Sequence, residues 1–296
     1  MTMKHFIPWK VFAVHGWIGL CLIILAWPAN WLFSGLRSHL LFFPLWLGYI
    51  LVVDALVLIR KDTSLLMRSF RDGKSIWKFM SLFIVSAPAW WLFEALNWRV
   101  QNWHYLGRDS FTDFQYALFA TVSFSTVMPA VFGTAELVGT FSWLRRYNAG
   151  PKFYPKRKTT ISFFLLGISM LAVLLIWPKY FFPLLWLSVF FIIEPINIIL
   201  GYPSLTDFTK RGDWRPIIAL CLGCLICGFF WEMWNFWSYP KWIYTIPYVD
   251  FWHVFEMPLL GYGGYLPFSL ELFALYHLIT GLLRRPDCEV CSGLFS

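Results

Sequence analysis

The chain alternates between long apolar runs and short polar ones. Eight runs, at about 11–33, 40–60, 77–98, 114–143, 160–177, 180–201, 215–237 and 252–283, are each long enough to cross about 30 Å of hydrocarbon as α-helix at roughly 1.5 Å per residue. The pattern predicts an all-α integral membrane protein with eight transmembrane helices. The fourth and eighth runs are overlong and carry breakers, Pro129 in one and Pro258, Pro267 and the glycine-rich stretch 261–264 in the other. Both are expected to bend or break, because proline removes a helical N–H and clashes with the preceding turn.

Composition agrees with this solvent. With 59% apolar and 14% charged residues, a soluble domain would lack the polar surface to cover itself. Of the 24 Lys and Arg residues, 19 fall at the two termini and in the connections after the second, fourth and sixth runs, and 5 in the other four connections. That bias predicts a plasma or inner membrane location with both termini cytoplasmic. It also explains the net charge of +8 without a nucleic-acid partner, which is not expected. Membrane lipids are the expected partners, and the basic segments 60–78 and 145–158 suit anionic headgroups as well as topology. Lys4 and Lys10 before the first run, with small residues at 26–29, imitate a signal peptide, but the run is expected to be retained. Nothing in the sequence specifies an oligomeric state or a cofactor.

The runs are also related to one another. Phe42 to Asp54, FFPLWLGYILVVD, parallels Phe181 to Glu194, FFPLLWLSVFFIIE, and Ser64-Leu65 and Ser204-Leu205 follow the two acids at the same distance. Further on, FEALNW at 93–98 parallels WEMWNF at 231–236 at an offset that also relates Pro129 to Pro267. Four spans return a chain to its starting side, so the expectation is two four-helix repeats of parallel topology, 1–150 and 151–296, the second with a short cytoplasmic tail.

Candidate chemistry rests on seven carboxylates placed in or at the ends of these runs, Asp54, Glu94, Glu136, Glu194, Glu232, Glu256 and Glu271, while no Lys or Arg lies well inside any run. Acids in hydrocarbon are costly and, without cations, are expected to be protonated or to line a polar cavity. Glu94, Glu232 and Glu256 form an outer layer. Asn97 and Asn235 stand three residues after the first two acids, on the same helical face, and are expected to orient them. Trp98, His104, Trp231 and His253, with the aromatic-rich segments 98–105 and 237–248, are the expected walls of a binding pocket. A protonated acid among aromatic faces can protonate an alkene or ether and shelter the resulting cation, which suits a hydrophobic lipid or isoprenoid. The deeper acids Asp54, Glu136, Glu194 and Glu271 offer the alternative of a proton pathway in a transporter or channel. In a third reading, a non-catalytic assembly protein, buried polar groups only fix helix register.

Other motifs add little. The six histidines form no HxxxH or HxxHH cluster, and no metal site is expected, although His104, His253, Glu94 and Glu232 could supply ligands from separate spans. Cys221, Cys224 and Cys227 suit helix packing as small residues. Cys288 and Cys291 make a CxxC that supplies only two ligands. No P-loop, GxGxxG, GxSxG or HExxH pattern is present.

Overall fold

The computed structural model describes residues 12–33, 40–71 and 76–283. Lys4, Lys10, His5, His39, Cys288 and Cys291 lie outside them. In chain order the helices are α1 (Val14–Leu32), α2 (Phe42–Lys61), the short α3 (Leu65–Arg71), α4 (Trp77–Val100), α5 (Asp113–Phe124), α6 (Val127–Gly139), α7 (Arg157–Ile176), α8 (Pro178–Phe181), α9 (Leu185–Leu200), the short α10 (Thr206–Thr209), α11 (Arg215–Phe236) and α12 (Tyr265–Leu282). Four short strands complete the described elements: β1 (Trp103–Leu106), β2 (Lys241–Tyr244), β3 (His253–Val254) and β4 (Met257–Pro258). Eight helical stretches are long and apolar enough to cross a membrane, which suggests an integral multi-pass membrane protein.

The two halves of the chain pack in matching order. In the first, α1 lies on α2, α2 on α6 and α4 on α6; in the second, α7 lies on α9, α9 on α12 and α11 on α12. The halves meet through α6 against α11 and α4 against α12. Helices α1 and α7 bury the least of their surface. Their close approach to a neighbour depends on small residues: a Cβ on Gly19 would stand 2.6 Å from the Gly48 carbonyl, and one on Gly48 2.7 Å from the Gly19 carbonyl. Such contacts let helices associate where apolar side chains gain nothing by leaving lipid.

The fourth span breaks as expected, but upstream of its proline. Pro129 stands in the first turn of α6, where its missing N–H leaves the Ser125 carbonyl without a helical partner and ends α5 at Phe124. Ser86 of α4 bridges the adjacent break between α5 and α6, donating to the Phe124 carbonyl at 2.5 Å and accepting from the Met128 N–H at 3.1 Å. Pro267 holds the same position in α12.

The eighth span starts later than the hydropathy pattern predicts. Residues 253–258 form the β3–β4 hairpin, a 3-10 turn covers Leu259–Gly264, and the α-helix begins only at Tyr265. Tyr248, Trp252 and Phe255 have positive φ, a backbone conformation that cannot continue as helix. Glu256 therefore belongs to a connection and not to a span.

At one end of the bundle the connections after α4 and α11 pair as an antiparallel ribbon, Trp103 opposite Tyr244, His104 opposite Ile243 and Tyr105 opposite Trp242. The buried amides Asn97 and Asn235 anchor it. Asn97 Nδ2 donates to the Trp103 carbonyl at 2.8 Å while its Oδ1 accepts from the Asn102 N–H at 2.9 Å. Asn235 likewise donates to the Trp242 carbonyl at 2.7 Å and accepts from its N–H at 3.0 Å.

Candidate functional site

Side chains alternate across a strand, and directly opposed residues share a face. Trp103, Tyr105, Trp242 and Tyr244 therefore stand on one face of the ribbon, and this face meets the two buried glutamates. Glu94 Oε1 accepts from Tyr105 Oη at 2.5 Å, Trp90 Nε1 at 2.9 Å and Trp103 Nε1 at 3.1 Å. Glu232 Oε1 accepts from Tyr244 Oη and from Tyr265 Oη, both at 2.7 Å. Burial first, and then the adjacent carboxylates, hold the phenols of Tyr105 and Tyr244 well above the usual tyrosine range. Both phenols therefore keep their protons and act as donors.

Below the ribbon lies a cavity of about 520 Å³, within the roughly 300–1,000 Å³ typical of small-molecule sites. Its wall is aromatic. Trp90, Trp103, Trp186, Trp231, Trp242 and Phe268 contribute, with Phe111, Tyr116 and Phe119 from the connection to α5 and from α5 itself. Trp186 stacks on Trp103 with ring centroids 6.0 Å apart and on Phe93 at 5.7 Å. Glu232 lines the cavity. It is fully buried, and its Oε2 has no hydrogen-bond partner. Glu94, 5% exposed, has the indoles of Trp90 and Trp103 and the phenol of Tyr105 around it, and these three rings line the cavity.

Of the residues singled out from the sequence, Glu232 and Trp231 line this cavity, and Glu94, Asn97 and Asn235 support its walls. The amides act on the ribbon backbone, not on the carboxylates, so they place the phenols that hold the acids. His104 faces away because strand alternation puts it opposite Ile243 on the other side of the ribbon, where its Nε2 lies 2.8 Å from Thr245 Oγ1. Trp98 is 77% exposed. His253 is exposed and pairs with Asp250 at 2.8 Å. Glu256 forms an ion pair with Lys241, which itself lines the cavity.

The deeper acids are held at three places, α3 serving both Asp54 and Glu136. Asp54 accepts from Ser64 Oγ at 2.7 Å and the Leu66 N–H at 3.0 Å, at the start of α3, and lies 3.1 Å from His15 Nε2. Glu194 accepts from the Thr206 N–H at 3.0 Å and hydroxyl at 3.2 Å at the start of α10. Both acids thus satisfy the free N–H groups of a helix N-terminus. Glu136 takes Arg68 Nη1 and Nη2, at 2.7 and 3.0 Å, with Lys61 at 3.8 Å. The expectation that buried acids lack cations fails here, because the connection after α2 folds into α3 and returns Arg68 to α6. Glu271 receives the Phe190 N–H at 3.4 Å, and its Oε2 has no partner.

The aromatic-rich segments 98–105 and 237–248, expected as pocket walls, supply Trp103, Tyr105 and Tyr244, while Tyr265, Trp90 and Trp186 were not foreseen. A sharper signal for the first three was present: Trp103-His-Tyr105 follows Asn97 at nearly the spacing with which Trp242-Ile-Tyr244 follows Asn235. Among the described residues no group of three or more His, Cys, Asp or Glu is placed to hold a metal ion. No family model, curated protein or solved structure matches the chain.

Proposed function

We propose that this protein is an intramembrane enzyme that acts on a hydrophobic lipid or isoprenoid by carboxylic-acid catalysis, with Glu232 as the proton donor. The observation that carries the reading is a fully buried carboxyl in the wall of an aromatic cavity, one oxygen fixed by two phenols and the other without a partner. The chemistry balances without a co-substrate. A proton moves from Oε2 to an alkene carbon, the π electrons form the new C–H bond, and the ring faces stabilise the cation left on the adjacent carbon. Loss of a different C–H proton to the carboxylate restores the acid and yields an isomerised or cyclised product.

We read the two halves as repeats of parallel topology and place the cavity near the axis between them. Support comes from the matching sequence segments, the matching helix packing and the matching use of Asn97 and Asn235, Tyr105 and Tyr244. The ribbon register agrees with a two-fold passing between His104 and Ile243. The distribution of basic residues favours both termini in the cytoplasm, which puts the cavity towards the outer face. Of the acids of the transport alternative, Asp54 and Glu136 share α3, whereas Glu194 is held at the start of α10 and Glu271 by α9, which favours the enzyme reading over a proton path running through all four.

The test is mass spectrometry of total lipids from cells expressing wild type or Glu232→Gln at matched levels of folded protein. A lipid gained or lost only with wild type is the expected result. Matching profiles in several hosts would sink catalysis.

A further inference from the structure

The polar atoms of the cavity wall restrict the kind of molecule it takes. Three charged side chains reach the wall: Glu232, Arg108 and Lys241. Both cations are already engaged. Arg108 donates to Asp113 Oδ1 at 2.8 Å and lies over the ring of Tyr116. Lys241 pairs with Glu256 and donates to the Phe236 carbonyl at 3.1 Å. The phenols of Tyr105, Tyr244 and Tyr265 direct their O–H groups to the two glutamates.

Two buried oxygens on the lining residues are left without a partner, Glu232 Oε2 and Asn102 Oδ1. Asn102 immediately precedes the Trp103–Tyr244 pair of the ribbon and accepts through its carbonyl from the Thr245 N–H at 2.9 Å, while the Tyr244 phenol bonds Glu232. The amide oxygen calls for a donor, and a protonated Oε2 for an acceptor. A phosphate would bring only further acceptor oxygens and negative charge into a low-dielectric space beside a carboxyl.

We propose that the cavity takes an uncharged, single-chain lipid alcohol, with its hydroxyl donating to Asn102 Oδ1 or accepting from Glu232 Oε2 and its chain along the aromatic wall, and that it rejects the phosphorylated form of the same chain. The inference rests on the cavity being the substrate site.

Occupancy can be blocked with little disturbance of the fold. A Cβ on Gly263, in the cavity wall, meets no atom within 4 Å, whereas one on Gly261 would strike Met257 and one on Gly264 would press on the Trp186 ring at 3.1 Å. Gly263 is exposed, so Gly263→Leu adds bulk without a clash at the open edge of the lining, where the chain of a bound lipid would pass.

The experiment uses the full chain in nanodiscs of zwitterionic lipid and titrates two probes, a conjugated polyene alcohol with an isoprenoid chain and its phosphate monoester. Energy transfer from the wall tryptophans reports binding. The alcohol is expected to bind wild type and to weaken about tenfold or more in Gly263→Leu, with the ester about tenfold weaker than the alcohol on wild type. An ester that binds as tightly as the alcohol overturns the proposal, and so does a Gly263→Leu protein that binds the alcohol like wild type. Failure of the catalytic reading looks different: the alcohol binds as expected, yet wild type and Glu232→Gln leave the same lipid profiles.

Discussion

Glu94 and Glu232 stand at corresponding places in the two halves, three residues before an amide that anchors the ribbon, and each takes a phenol from that ribbon. They differ in what completes the shell. Glu94 gathers two indole N–H groups as well as a phenol on a single oxygen. Glu232 has a second phenol from α12 in their place, lines the cavity, and keeps Oε2 without a partner. Two acids in similar settings thus have different neighbours, Glu94 three rings of the cavity wall and Glu232 a place in the lining itself, and on the enzyme reading proposed above the second is the reacting one.

The sharpest way to break this comparison is to neutralise each acid alone. Glu232→Gln is expected to lower product formation by about a hundredfold or more, the range for losing a general acid. Glu94→Gln should lower it by less than about tenfold, and chiefly through stability. Lipid mass spectrometry at matched folded protein separates the two; equal losses would end that distinction.

Next in size, Asn97→Leu and Asn235→Leu should behave alike, since each amide makes the same kind of contacts with its strand. Each is expected to cost about 2–3 kcal/mol, because the buried strand groups lose their partners. Thermal unfolding in detergent and hydrogen exchange of the ribbon amides measure the loss.

Tyr265→Phe leaves Glu232 with one donor and should slow turnover about tenfold while folding stays near wild type. Tyr105→Phe, on the other acid, should change stability by about 1 kcal/mol and turnover little. The reverse order would show that Glu94 is the reacting group.

The smallest effect concerns pH. The phenols of Tyr105 and Tyr244 are raised by burial above their unfolded value, so their contribution to stability is complete below about pH 10 and declines as the unfolded phenols begin to ionise. Unfolding followed from pH 8 upward should be flat and then fall. The double substitution Tyr105→Phe with Tyr244→Phe should remove that part of the fall.

Much of the fold was legible because hydropathy over twenty residues reports the solvent directly, and the eight predicted spans match eight helical stretches. The break near Pro129 was legible too, since its cause is local. The late start of the eighth span was not, because the aromatic residues at 251–257 are apolar enough to extend the run while the backbone turns through a hairpin. The site was only half legible. Glu94, Asn97, Glu232 and Asn235 announce themselves by spacing along one helix, but Tyr265 reaches Glu232 from 33 residues away and Trp186 reaches Trp103 from the other half. Arg68 escaped for a similar reason, since a loop that folds back brings charge to an acid that hydropathy leaves alone.

The ribbon over the cavity also has a kinetic consequence. Its two strands follow α4 and α11, so it covers the site with a strap tied on both sides, and on the enzyme reading proposed above a hydrophobic reactant would reach the cavity from the surrounding leaflet. Reaction velocity should then follow the mole fraction of substrate in the membrane, not its amount per volume of buffer. Diluting the bilayer with inert lipid would slow the protein, whereas diluting the whole suspension would not.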